Sequence, residues 1–329
     1  MELTRRLFQR HQNFALTTHE GADADGIGAE IALCAILRAM KKSVRIFNAA
    51  PTPDRFAFID PETMVETYSR DDHDSFVAGS ALIVLDSSDK GHLGILADAI
   101  GPLARELFAI DHHERPKTDL IEGWIDTAAS STCEMVVRLS ESLGMPLGLV
   151  GSIAAYAGMV YDTNSFVYPK TTADTLMTAG RLVESGVVPN SVYQAMYESD
   201  SLGSLLLQKR VLSTLELHGE GRIAFQSMMK TDLDAAGAGY EDADSLVNVP
   251  LRCKSIEVSI LVKETPEGRL RGSLRSKGRI NVSDVAQHFG GGGHRTAAGF
   301  KCAKGLAETK AEVLQKVSAA LEAASSGCR

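Results

Sequence analysis

Short apolar runs recur through the first half of the chain, and each ends on a polar cluster. Phe14-Ala15-Leu16-Thr17-Thr18, Ala81-Leu82-Ile83-Val84-Leu85 and Leu107-Phe108-Ala109-Ile110 are too short for core helices and are flanked by turn-forming residues, so they predict buried parallel strands. Ser43 to Phe47 predicts another strand, while Gly26 to Met40, Ser130 to Leu143 and Leu147 to Tyr161 predict helices. Strands alternating with helices give a doubly wound parallel sheet, an α/β fold. Thr171 to Ser185 and Ser191 to Tyr197 are expected to cap this domain, and Leu202 to His218 reads as a connecting helix. Beyond it, Arg222 to Met229 and Ser255 to Val262 predict strands of a smaller α/β domain, closed by the amphipathic helix Lys304 to Ala324. The expected divisions are 1–200, 201–219 and 220–329.

The polar clusters are of one chemical kind: His19 with Asp23 and Asp25, then Asp86, then Asp111-His112-His113, then Asp162. In an open α/β sheet the carboxyl ends of the strands share one rim where ligands bind, so these residues are expected to converge. Gathered there, Asp23, Asp25, Asp86 and Asp162 would repel one another unless some took up protons or a cation neutralised them. The imidazoles favour the cation. A mixed carboxylate and histidine set suits Mn²⁺ first, with Mg²⁺ or Co²⁺ as alternatives, and excludes a thiolate-rich zinc site. The His-x3-Asp-x-Asp spacing places both aspartates on the same side of an extended segment, so neighbouring cations can each take one and Asp86 can bridge them. Taken singly, an Asp after a strand is more often a cap or turn residue. Four such motifs together outweigh that reading.

Composition fits a two-domain enzyme. A chain of 329 residues with 44% hydrophobic content can fill two cores. No apolar stretch reaches membrane-spanning length, and Met1-Glu2-Leu3-Thr4-Arg5-Arg6 leads into no signal-type segment, so a cytoplasmic protein without membrane contact is expected. Five scattered cysteines suggest reduced thiols. A net charge of −8 argues against coating duplex DNA, which needs excess Lys and Arg. It leaves room for a small phosphorylated substrate.

One basic patch stands out, at Arg269-Leu270-Arg271-Gly272-Ser273-Leu274-Arg275-Ser276-Lys277-Gly278-Arg279. On a strand its odd positions share a face, giving a polar, mostly basic stripe. Further on, Gly290 to Gly293 can take positive φ and let backbone N–H groups approach an anion, with His294 offering a donor beside them.

These motifs together resemble the DHH phosphoesterase superfamily, in the subfamily with a C-terminal DHHA1 domain. The matching text is His19-Glu20-Gly21-Ala22-Asp23-Ala24-Asp25-Gly26-Ile27-Gly28, Asp86-Ser87-Ser88-Asp89-Lys90-Gly91-His92-Leu93-Gly94, Asp111-His112-His113, Gly158-Met159-Val160-Tyr161-Asp162-Thr163 and Gly290 to Phe300. The motifs follow the family's order over nearly the whole chain. Gly21-Ala22 stands where the family commonly has Asn-Pro, and His92 where it has Arg. The resemblance implies a DHH domain joined by a helix to a DHHA1 domain, with the active site in the cleft between them. It further implies that His19, Asp23 and Asp86 hold one cation and that Asp25, Asp86, His112 and Asp162 hold a second. Asp111 would orient an imidazole, and His113 would contact the phosphate or assist the leaving oxygen. Arg275 with Ser273, and Gly291, Gly292, Gly293 and His294, would grip the substrate away from the scissile bond.

The resemblance is strongest to the stand-alone nano-RNase and pAp phosphatase group, which implies hydrolysis of short oligoribonucleotides or 3′,5′-bisphosphate nucleotides by a metal-bridging hydroxide. A cyclic or linear dinucleotide phosphodiesterase is the alternative within the superfamily. A phosphate-ligand-binding protein without turnover is the alternative outside it, and the complete ligand set speaks against that. Whether the chain forms a homodimer is left open.

Overall fold

The apolar run at Phe14 lies between the runs at Val44 and Ala81, parallel to both. A computed structural model describes residues 1–114, 119–293 and 295–326. Its contacts divide the chain into two units, Met1–Ser199 and Asp200–Arg329.

In the first unit the strands are β1 (Asn13–Thr17), β2 (Ser43–Asn48), β3 (Val65–Thr67), β4 (Ala81–Leu85), β5 (Glu106–Asp111) and β6 (Gly123–Ile125). They form one parallel sheet in the order β3-β2-β1-β4-β5-β6. The helices are α1 (Glu2–Arg10), α2 (Ala24–Ala39), α3 (Arg70–Ala78), α4 (Ile95–Ala99), α5 (Thr132–Leu143), α6 (Gly148–Asp162), α7 (Ala173–Glu184) and α8 (Pro189–Tyr197).

Both faces of the central strands are covered, which is why they read as unbroken apolar runs. Phe14, Leu16, Ile83, Leu85 and Ile110 pack with the buried residues of α2, α5 and α6. Ala15, Phe47, Leu82, Val84 and Ala109 face the other way, against Val77 of α3 and Leu96 of α4. Helices α2 and α6 meet closely at Gly28, where a Cβ would lie 2.4 Å from the Ala154 carbonyl oxygen. Trp124 is only half-buried on β6.

The second unit comprises α9 (Leu202–Ser213), β7 (Glu216–His218), β8 (Ile223–Met228), α10 (Lys230–Ala236), β9 (Val258–Glu264), β10 (Leu270–Ser276), α11 (Val282–Gln287), β11 (Gly292–Gly293), β12 (Ala297–Lys301) and α12 (Leu306–Ser326). Its sheet runs β11-β12-β10-β9-β8-β7, with β8 and β9 parallel and the other pairs antiparallel. One face, including Phe225, Ile260, Leu274 and Phe300, packs with α11 and α12. The other face of β8 and β9 lies beneath α9, α10 and the turn at Leu246–Arg252.

One expectation needs correction here. The helix read from Leu202 to His218 ends at Ser213, because Thr214 Oγ1 accepts from Ser227 N at 2.9 Å and draws the chain into the sheet as β7. Within the glycine run, Gly292 and Gly293 pair with Gly299 and Ala298 as β11. His294 lies outside the described residues.

Candidate metal centre

The strand order reverses between β1 and β4, and the acidic motifs sit at the carboxyl ends of β1, β4 and β5, where an open sheet leaves its crevice. His19 follows β1, Asp86 follows β4, Asp111 ends β5, and Asp162 ends α6. Three groups result whose ligand atoms lie within 4.8 Å of one another: His19, Asp23 and Asp86; Asp25, His112 and Asp162; and Asp86, His112 and His113. Asp86 stands in two of them, its Oδ2 3.7 Å from His19 Nε2 and its Oδ1 3.6 Å from His112 Nε2.

The two aspartates of the first motif do not lie on an extended segment as expected. Asp23 caps α2, its Oδ1 accepting from the backbone N–H of Asp25 at 3.0 Å and of Gly26 at 3.2 Å, so the chain is already helical at Asp25. A carboxylate that satisfies free N–H groups at a helix start is worth about 1 kcal/mol, and that local gain overrides extension. Asp25 then turns into the interior. There it accepts from Thr132 N at 2.7 Å and Cys133 N at 2.9 Å, the first N–H groups of α5.

Electrostatically the cluster carries more negative charge than its buried setting tolerates unless protons or cations offset it. Burial, then the nearby Asp86 and Asp162, push the Asp25 carboxyl well above the usual carboxylate range. Burial opposes charge on His19 as well, yet the Asp23 and Asp86 carboxylates drive it up to about 11. His112 is likewise pushed up to about 9, against burial, by Asp162, Asp25 and Asp86. Its Nε2 lies 2.9 Å from Asp162 Oδ2. Oxygen and imidazole donors converging in this way fit hard or borderline divalent cations, and no thiolate takes part.

Among the described residues Asp111 joins no ligand group. Its Oδ1 accepts from His113 N at 3.0 Å and lies 2.9 Å from His113 Nδ1. Against burial, the His113 contacts hold Asp111 down at about 2. The His113 side chain is 56% exposed, so it stands at the mouth of the cluster.

Comparison with known proteins decides the family. The profile described as the DHH family, N-terminal domain, matches residues 13–179, and that of the DHHA1 domain matches residues 230–323. The chain belongs to the DHH family. It is therefore a phosphoesterase of a metal-dependent class. Among its relatives are two that carry the name bifunctional oligoribonuclease and PAP phosphatase NrnA. One, from Bacillus subtilis (strain 168), is 28% identical over 89% of this chain and 90% of the relative. The other, from Thermus thermophilus, is 29% identical over 86% and 82%. Among solved structures, an exopolyphosphatase-related protein from Bacteroides fragilis superposes with a TM-score of 0.90 at 24% identity, covering 98% of this chain and 97% of that one.

In this DHH protein several supporting residues escaped the sequence reading. Thr132 Oγ1 donates to Asp86 Oδ1 at 2.8 Å, so one threonine at the start of α5 holds Asp86 with its side chain and Asp25 with its N–H. Thr18 Oγ1 donates to the Leu85 carbonyl at 2.8 Å, tying the residue before His19 to the residue before Asp86. Asn48, at the end of β2, accepts from Thr18 N at 3.2 Å and donates to Glu30 Oε2 at 2.9 Å. The available signal was a Glu in the apolar run of α2 and an Asn closing an apolar strand, each a buried polar residue needing a partner.

The residues expected to grip substrate lie in the second unit. Ser273 and Arg275 share the face of β10 opposite the α11 and α12 core. Arg275 is half-buried, and among the described residues its Nη1 donates only to the Leu274 carbonyl at 3.0 Å. Lys277 and Arg279 of the same stripe are engaged, the first with the Cys253 carbonyl at 2.7 Å and the second with Glu257 at 3.1 Å. Gly291 approaches β12 so closely that a Cβ would meet the Gly299 carbonyl oxygen at 2.2 Å, and Gly293 has φ 141°.

Proposed function

We propose that the protein hydrolyses short oligoribonucleotides or 3′,5′-bisphosphate nucleotides, using two divalent cations, Mn²⁺ foremost, in the cytoplasm. The observation that carries the reading is Asp86, shared between ligand groups at the carboxyl ends of adjacent parallel strands. The names of the NrnA relatives supply the substrate class.

His19, Asp23 and Asp86 would hold one cation, and Asp25, Asp86, His112 and Asp162 the other. Bound there, the cations would lower the pKa of water and offset charge on the phosphoryl oxygens. The chain's own residues do the rest. Asp111 fixes His113 through Nδ1 and leaves Nε2 for the substrate. The Asp111 contact raises His113 above its ordinary value despite burial, so the imidazolium is available to protonate the departing ester oxygen. Arg275, which has no carboxylate partner among the described residues, would hold a remote phosphate, sugar or base.

A substrate panel tests the proposal: diribonucleotides, longer RNA, cyclic dinucleotides, bisphosphate nucleotide and pyrophosphate, each with Mn²⁺ and with excess chelator. Hydrolysis of diribonucleotides or bisphosphate nucleotide that chelator abolishes is the expected result. Undiminished turnover in chelator would refute the metal assignment, and preference for pyrophosphate or cyclic dinucleotides would refute the substrate assignment.

A further inference from the structure

Next to Asp162, the first unit exposes aromatic side chains and a guanidinium for which the metal centre has no use. Arg55 is exposed, lies 4.4 Å over the ring of Phe56, and makes no ion pair among the described residues. Phe56 in turn meets Tyr161 edge-on, with ring centres 5.5 Å apart. Tyr161 immediately precedes Asp162 and lies within electrostatic reach of both Asp23 and Asp162. Beyond Asp162 the chain takes a left-handed turn at three successive non-glycine residues, Asn164, Ser165 and Phe166, with φ of 48°, 58° and 65°. Such backbone is costly, and it places Tyr168 at the surface with 52% of its area exposed.

Helix α8 packs against α6 and against the Asp54–Ile59 segment, and it brings two more rings to the same place. Tyr197 reaches the Ser165 side chain and feels Tyr168 and Tyr193. Tyr193 and Tyr197 have ring centres 5.0 Å apart and are 43% and 38% exposed. Exposed rings of this size normally find a covering surface. A guanidinium with no ion pair among the described residues, on the Asp54–Ile59 segment against which α8 packs and beside a phosphoester centre, argues that the cover is a nucleotide, which offers a π face and a phosphate together.

We infer that Arg55, Tyr168, Tyr193 and Tyr197 form a stacking subsite for the base of a nucleotide adjacent to the scissile phosphate. The inference rests on the nucleotide reading of the function and adds to it a base-holding surface within the first unit. Every base has a π face, so stacking here would accept all four bases with little preference.

The test compares the intact chain with two double variants, Tyr193→Ala with Tyr197→Ala and Tyr193→Phe with Tyr197→Phe, and with Arg55→Ala. Each is assayed on a diribonucleotide and on its abasic counterpart, with particle mass followed by light scattering. Stacking is worth about 1–3 kcal/mol per base, so the alanine pair should lose about 5- to 150-fold in kcat/KM on the diribonucleotide and nothing on the abasic compound. The phenylalanine pair should retain activity on both. Arg55→Ala should lower kcat/KM on the diribonucleotide, with a larger effect when it carries an extra terminal phosphate. Equal loss on both substrates, or no loss on either, overturns the inference while leaving the phosphoesterase reading intact. A change in particle mass in the alanine pair would instead assign the rings to contact with a second copy of the chain. If the intact chain cleaves a generic phosphodiester but no nucleotide, the nucleotide reading itself fails and the subsite with it.

Discussion

Asp86 adopts a left-handed backbone, φ 61°, at the point where two ligand groups meet. Asp and Asn tolerate that conformation better than other side chains, because their short polar groups bond locally. Asp86→Asn therefore removes the charge while keeping the backbone, and we expect it to lower activity by roughly 100-fold or more and weaken cation binding, read by kinetics and metal titration. Near-normal values for both would remove Asp86 from the centre. Thr132 acts one step behind it. Thr132→Val keeps the shape but takes the hydroxyl from Asp86, so metal affinity should fall about 10- to 100-fold with a stability loss near 1 kcal/mol. A loss of stability without any change in affinity would make the hydroxyl merely structural. The ligand types were legible in the sequence because each closes an apolar run. Thr132 was not, since Ser130-Ser131-Thr132 reads as an ordinary helix start and only the fold brings Asp25 and Asp86 to it.

At the scale of the element, α2 joins the rim to the core. Its N-terminus is set by Asp23, its middle by close contact with α6 at Gly28, and its buried side carries Glu30 against Asn48. Burial pushes Glu30 up to about 8 from the ordinary 4.5, opposed only in part by the Asn48 hydrogen bond. Folded Glu30 thus keeps a proton that the unfolded chain releases, so its contribution to stability falls as pH rises from about 4.5 to about 8 and levels off above that. The limiting slope is about 1.4 kcal/mol per pH unit. Glu30→Gln carries a neutral isostere throughout, so its stability relative to the parent should grow across that window, measured by urea midpoints at successive pH values. A constant difference between the two would mean that Glu30 is charged in the fold. The helix itself was evident from its apolar residues. What periodicity could not give was where a helix stops against a sheet, as at Ser213, because Ser227, Thr214's partner there, lies on β8.

On the scale of the whole molecule, the proposal places the metal chemistry in the DHH unit and a remote substrate contact in the DHHA1 unit, and Arg275 tests that contact. The DHH unit contains every described residue of the metal groups, whereas Arg275 stands on β10 of the DHHA1 unit. A contact with a remote part of the substrate helps catalysis only if it is used to hold the scissile phosphate in place. Arg275→Ala should then leave cation binding unchanged and lower kcat/KM on diribonucleotides by about 30- to 150-fold, the equivalent of about 2–3 kcal/mol for a lost charged hydrogen bond. A minimal phosphodiester that cannot reach Arg275 should be cleaved at the parent's rate. The two-sheet plan was readable from strand spacing and the DHHA1 motif, yet it was not readable that Arg275 has no carboxylate partner among the described residues, whereas Lys277 and Arg279 of the same stripe are spoken for by a backbone carbonyl and by Glu257. Those neighbours supply the control. Arg279→Ala should cost a surface ion pair, at most about 1 kcal/mol of stability, and leave both substrates untouched. If Arg275→Ala and Arg279→Ala behave alike, the stripe is a solvated sheet face and the grip on substrate lies elsewhere.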